Sequence, residues 1–142
     1  MRTFLVCAAA IVCLAAIEVC VGAQTTGSSN PPLVIHSVSG EDLFKFYCSS
    51  CHGRDGAGDG PVAAALDAAP PDLRQLSLRN GGTFPRQRVR MLVGNDGSLR
   101  AGHGPIEMPV WGPVFKGLDA SEAMATVRIA NIVEYLEGIQ AK

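Results

Sequence analysis

The clearest hydrophobic pattern lies near the C-terminal end, where Ala125, Ile129, Ile132, Leu136 and Ile139 recur at alternating four- and three-residue steps. That period places all five on one stripe of an α-helix. Asp119, with Glu122 three positions on, is its expected N-cap, and Gly138 lies near its end. A second helix is expected from Gly40 to about Cys48. Ser39 stands at its N-cap with Asp42 at the capping-box position, and Phe44 shares a face with Gly40. Three shorter helices are expected to start at prolines, the residue best suited to a first turn. One runs from Pro61 through Leu66. The next starts at Pro71 and offers Leu73, Leu76 and Leu78 to the core. The third starts at Pro85, carries Val89, Leu92 and Val93, and is ended by Gly94. Asn95 to Gly117 is punctuated by Gly and Pro and reads as irregular. No run of alternating β-branched residues argues for a strand. The expected fold class is all-α with long loops.

The N-terminus has a different pattern. Arg2 precedes an unbroken apolar stretch from Phe4 to Ile17, and Val21-Gly22-Ala23 supplies small residues before Gln24. This is the layout of a secretory signal, with cleavage expected after Ala23. The stretch is shorter than the roughly 20 residues that span a bilayer. It would tie the chain to a membrane only if it were retained. Residues 24–39, with the Pro31-Pro32 pair, read as a flexible tail, and residues 40–142 as one small domain.

Export alters the meaning of the cysteines. Cys7, Cys13 and Cys20 leave with the leader, so the mature chain keeps only Cys48 and Cys51 and has none to spare for a disulfide. Charge is nearly balanced, with 12 Lys and Arg against 13 Asp and Glu. That argues against a nucleic-acid partner, which a basic excess or stripe would signal.

The two remaining cysteines stand in Cys48-Ser49-Ser50-Cys51-His52, a C-x-x-C-H run. Two thiols three positions apart on one helical turn can add to the two vinyl groups on one edge of a porphyrin. The imidazole that follows can then ligate the iron from below, and the run is the attachment signal of a c-type haem. A thioredoxin-like dithiol would sit in a βαβ pattern, and a zinc site would need a second Cys/His pair; the mature chain offers neither. The run Gly53–Gly60 that follows holds four glycines in eight residues, so it is a loop able to lie close against a flat group. It lacks the strand, helix and G-K-[ST] context of a phosphate loop.

An iron held by His52 has a second face to fill, and Met91, Met108, Met124, His36 and His103 are the candidates. Met91 and Met124 fall in expected helices and read as core fillers. His103 lies in a glycine-rich turn and His36 in the tail. Met108 stands out, because Glu107-Met108-Pro109-Val110-Trp111-Gly112 carries a thioether in an irregular loop held by a proline.

These residues resemble the class I c-type cytochromes in their bacterial single-haem form. The resemblance rests on C-S-S-C-H, the downstream M-P-V-W-G and the pairing of the terminal helices, and it covers about Gly40 to Gly138. It implies a small helical domain wrapped around one covalently bound haem c, with thioethers at Cys48 and Cys51 and axial ligands His52 and Met108. It also implies that Gly40 and Phe44 pack across Ile132 and Tyr135, and that the Pro61 carbonyl accepts the Nδ1 hydrogen of His52. Trp111 reads as packing on the haem edge or bonding a propionate, with an ordinary core aromatic as the alternative. Arg74, Arg79, Arg86, Arg88, Arg90 and Arg100 are either a solvated face or a source of one or two bonds to propionates or to a partner's acidic rim.

His/Met ligation favours ferrous iron and leaves no vacancy for a substrate. The expected function is therefore an electron carrier, not an enzyme, in the periplasm. Its partners would be a redox donor and acceptor of a respiratory chain, such as a membrane-bound oxidase or a periplasmic dehydrogenase, and it would act as a monomer. The alternatives are a haem subunit bound within a dehydrogenase or oxidase complex, and an open-site haem protein that binds a gas or peroxide.

Overall fold

The computed structural model describes residues 34–94 and 108–142. The expected signal peptide, residues 24–33 of the tail, and 95–107 with Arg100 and His103 lie outside the described residues. Along the chain come α1 (Gly40–Leu43), a π turn (Phe44–Cys48), α2 (Ser49–His52), 3-10 turns at Ala63–Ala65 and Leu73–Gln75, α3 (Leu76–Arg79), α4 (Arg86–Gly94), α5 (Trp111–Asp119) and α6 (Glu122–Gly138). There is no strand among the described residues.

The first three of these elements are one continuous helical run. Ser39 caps it as expected, its hydroxyl accepting from the Asp42 amide at 3.4 Å. The run does not stop at Cys48 but continues to His52. In the π turn the Ser49 amide reaches back five residues to the Phe44 carbonyl, passing over that of Lys45. The Ser49 hydroxyl donates to the Lys45 carbonyl instead. A helix end leaves four carbonyls without partners, and here the following loop supplies all four. Gly53 donates to Ser49 (3.0 Å), Val62 to Ser50 (3.1 Å), Gly60 to Cys51 (3.1 Å) and Gly58 to His52 (2.8 Å). Gly60 is required by this packing: a Cβ there would lie 2.3 Å from the Ser50 carbonyl oxygen.

α6 is the central helix, packed against α1, α4 and α5. Ala125, Ile129, Ile132 and Leu136 of the expected stripe are buried, joined by Val133, and Ile139 packs beside them half-buried. α1 crosses α6 at Gly40, where a Cβ would stand 2.0 Å from the Asn131 carbonyl oxygen and 3.0 Å from the Tyr135 Cβ. One turn on, fully buried Phe44 meets the Tyr135 ring at 5.2 Å. The expected pairing of terminal helices is thus realised by contact of backbone with backbone at one point and of ring with ring at the next.

Several expectations change. The Pro61 helix shrinks to a turn and the three residues Ala63–Ala65, and the amide of Val62 is taken by the preceding helix end. The Pro71 helix begins only at Leu73, and Leu78 is 71% exposed, while Leu73 and Leu76 pack on the core. α5 occupies part of the stretch read as irregular. Its Pro113 sits in the first turn, where the missing N–H costs nothing, and Trp111, Phe115 and Leu118 form its inward stripe. The N-cap of α6 is Ser121, which accepts from the Met124 amide, and Asp119 instead ends α5. Ala120, with φ 50°, turns the chain between the two helices.

Asp119 has another use. Arg128 is 1% exposed and ion-pairs with it, while also donating to the Phe115 carbonyl (3.4 Å) and the Ser37 carbonyl (3.3 Å). The last bond helps fasten residues 34–39, so this part of the expected flexible tail belongs to the domain. The Tyr47 hydroxyl donates to the Ile35 carbonyl and accepts from its amide, and Asn131 donates to the Val38 carbonyl at 2.6 Å. At the other terminus Gln140 receives the Ser77 amide (2.8 Å) and donates to the Leu73 and Leu136 carbonyls (2.8 and 2.6 Å). It ties the segment 73–77 to the end of α6.

Two carboxylates make the fold acid-sensitive. Hydrogen bonding from Arg74, ahead of its charge, holds Asp72 down to about 2, and Arg128 likewise lowers Asp119. A carboxylate whose pKa is depressed on folding contributes stability above the unfolded value and loses it as pH falls through the folded one. For Asp72 that window runs from about 4 down to about 2. Asp72→Asn is therefore expected to lower the urea midpoint at pH 6, with the difference from wild type vanishing near pH 2. An equal difference at both pH values would sink this account.

Candidate haem site

Phe44, Tyr47, Cys48, Cys51 and His52 stand at i, i+3, i+4, i+7 and i+8 of the first helical run, so a single face of it forms one wall of an apolar cavity of about 300 Å³. Val89, Leu92 and Val93 of α4 line a second wall, and Ile132 and Leu136 of α6 close the back. Pro70, Pro71, Leu73 and Leu76 cover one side. Met108, Pro109 and Trp111 come in from the segment entering α5.

The two cysteines are free thiols, both half-buried. Burial, and then the neighbouring Cys51, push the Cys48 thiol up to about 12, so it rests protonated. Burial lowers the His52 pKa, which keeps its imidazole in the neutral form that a metal requires. The His52 Nδ1 is buried with no hydrogen-bond partner among the described residues.

Five of the expected site residues, Cys48, Cys51, His52, Met108 and Trp111, therefore surround one cavity. Pro61 does not join them. The amides of Gly60 and Val62 are drawn to the carbonyls of Cys51 and Ser50 along the end of α2, and Pro61 between them is left exposed to solvent. The backbone acceptor that acts on His52 is Pro71, whose carbonyl partly offsets the effect of burial without reaching hydrogen-bonding geometry at Nδ1. The signal for it was the Pro70-Pro71 pair, which lines the cavity.

Among the other candidates for the second ligand, Met91 is 39% exposed on the outside of α4, not a core filler. Met124 is half-buried in the first turn of α6, away from the cavity. His36 lies 3.4 Å from the Asp119 carboxylate. Met108 is the candidate among the described residues that reaches the cavity, with 38% of its surface exposed. The mid-chain arginines are largely engaged nearby. Arg74 pairs with Asp72 and Asp55, Arg86 pairs with Glu137, and Arg79 donates to Gln75. Arg88 and Arg90 are exposed on α4.

The residues present fit a haem. Two free thiols and an imidazole share one helical face, a thioether stands on another wall, and the surface between them is apolar. That donor set is the soft and nitrogenous one that haem iron takes in electron-transfer proteins. The cytochrome c family model matches residues 37–140. The chain belongs to the cytochrome c family. Its cofactor is covalently attached haem c, its all-α architecture is that of a cytochrome c domain, and the family is one of haem-based electron transfer. Neither the curated proteins nor the solved structures returned a match. The matched stretch of this cytochrome includes Ser37, held by Arg128, and Gln140, which fastens the segment over the cavity.

Sequence reasoning missed Tyr47, Arg128 and Gln140. Each acts through partners distant in the chain, and none belongs to a local motif.

Proposed function

We propose that this cytochrome is a periplasmic single-haem electron carrier of class I, with no catalytic activity of its own. Cys48 and Cys51 would hold the haem by thioethers, and His52 and Met108 would ligate its iron. The observation that carries this reading is that Met108 and His52, far apart in the sequence, line the same apolar cavity. Haem bound there would supply a one-electron couple, and two protein ligands would leave it no open position for a substrate.

The chain's own residues do the rest. The apolar walls would keep water from a haem held there, which would lower the local dielectric and disfavour added charge. Burial keeps His52 neutral and available as a ligand. The fastened loop after His52 and the close α1–α6 crossing hold the attachment helix in place, so little rearrangement accompanies a change of charge. Donor and acceptor would be redox proteins, with the apolar leader directing export. The near balance of charge, 12 basic against 13 acidic residues, suits partners that are not strongly charged.

The test is the visible spectrum of the haem-loaded protein, oxidised and reduced, with and without carbon monoxide. A low-spin spectrum with the weak thioether-to-ferric band and no response to carbon monoxide is expected. A high-spin spectrum, or ready carbon monoxide binding, would replace the carrier by an open-site haem protein.

A further inference from the structure

We infer that Trp111 is the positioning residue for Met108, so that an aromatic wedge, not a hydrogen bond, decides how firmly the thioether is held over the cavity. The inference rests on Met108 being the second ligand. The segment carrying Met108 enters α5 at Val110, which makes no side-chain capping bond. Packing fixes the entry instead.

The Trp111 ring stacks on Phe115 one turn on, with centroids 5.9 Å apart and planes at 22°. It also leans on Tyr47 of the first helical run at 5.4 Å and 57°. Phe115 in turn meets Tyr47 nearly edge-on at 5.3 Å. The three rings form a closed triangle, the geometry in which aromatic pairs attract beyond their buried area. Two of its corners are anchored. Phe115 is fully buried, and the Tyr47 hydroxyl is bonded to both the amide and the carbonyl of Ile35. The third corner, Trp111, stands three residues past Met108, and Pro109 between them restricts the backbone. Trp111 and Met108 line the same cavity, so removing the indole enlarges the space that the Met108 segment borders.

A core aromatic with no such role would affect stability alone. The test uses the haem-loaded protein with Trp111→Leu, which keeps apolar volume, and Trp111→Phe, which keeps a ring but loses the indole N–H. Val133→Ala, in the core but away from the cavity, controls for general loosening. Two quantities are read: the carbon monoxide affinity of the ferrous form, and the pH at which the ferric form loses its thioether band. Trp111→Leu is expected to gain the carbon monoxide binding that the wild type lacks and to lose the band at lower pH. Trp111→Phe is expected to stay near wild type, as is Val133→Ala.

Three results would overturn the inference while leaving Met108 as ligand. They are an unchanged Trp111→Leu, a Trp111→Phe as weak as Trp111→Leu, and a Val133→Ala that opens the site equally. Free carbon monoxide binding by the wild type would remove the Met108 reading, and this inference with it.

Discussion

Gly40→Val is expected to destabilise the protein by about 3 kcal/mol and to lower its Tm by about 15 °C. The reason lies in what the new side chain meets. Its Cβ would stand 2.0 Å from the carbonyl oxygen of Asn131, which is backbone in the middle of α6 and cannot swing aside as a flexible side chain can. Either α1 lifts off α6 or α6 bends, and both options disturb Phe44 and Ile132 at the buried centre of the crossing. Lifting α1 would also drag on the Cys48–His52 turn, so haem incorporation is expected to fall with the Tm. Gly138→Ala is the comparison. A Cβ there meets nothing within 4 Å, and the change is expected to be neutral or slightly stabilising. Thermal unfolding followed by circular dichroism measures both. A Gly40→Val protein melting within a few degrees of wild type would refute the close crossing.

Replacing Met108 by alanine is expected to have the largest effect on the haem itself. With the thioether gone, the ferrous protein should bind carbon monoxide where the wild type does not. The potential should fall on the order of 0.1 V, since the thioether stabilises the ferrous state. Met91→Ala is the matched control, because Met91 is exposed on the outer side of α4 and does not reach the cavity. Spectroscopic titration with carbon monoxide and potentiometry read the two effects. An unchanged potential in Met108→Ala would show that another residue ligates the iron.

These two positions illustrate how unevenly the molecule could be read from its residues. Cys48, Cys51 and His52 were legible because thioether attachment and axial ligation impose a spacing within five adjacent residues. The α6 stripe was legible because burial repeats with the helical period. The capping of α1 by Ser39 is equally local and came out as expected. The errors fall where a local rule had a competitor. Asp119 and Ser121 are both good N-caps, and the choice between them followed from a need outside the helix: Asp119 neutralises buried Arg128. Gly112, Pro113 and Gly117 disguised α5, whose helical state is secured by burying Phe115 against Tyr47 and Trp111.

Pro61 is the instructive case. The resemblance made its carbonyl the expected acceptor for the imidazole. The loop instead spends its amides on the orphan carbonyls of the attachment helix, and this turns Pro61 outward and leaves Pro71 beside His52. Hydrogen-bond satisfaction at a helix end outweighed what the resemblance implied.

What the sequence determined by itself is the chemistry of attachment, the helical class and the face of α6 that turns inward, all of which depend on residues within a turn or two of one another. What only the tertiary structure decided is which carbonyl faces His52, which residue caps α6, and which polar side chains fasten the two ends of the domain. Those outcomes depend on which distant segments compete for the same buried carbonyl, carboxylate or ring, and a linear pattern does not record that competition.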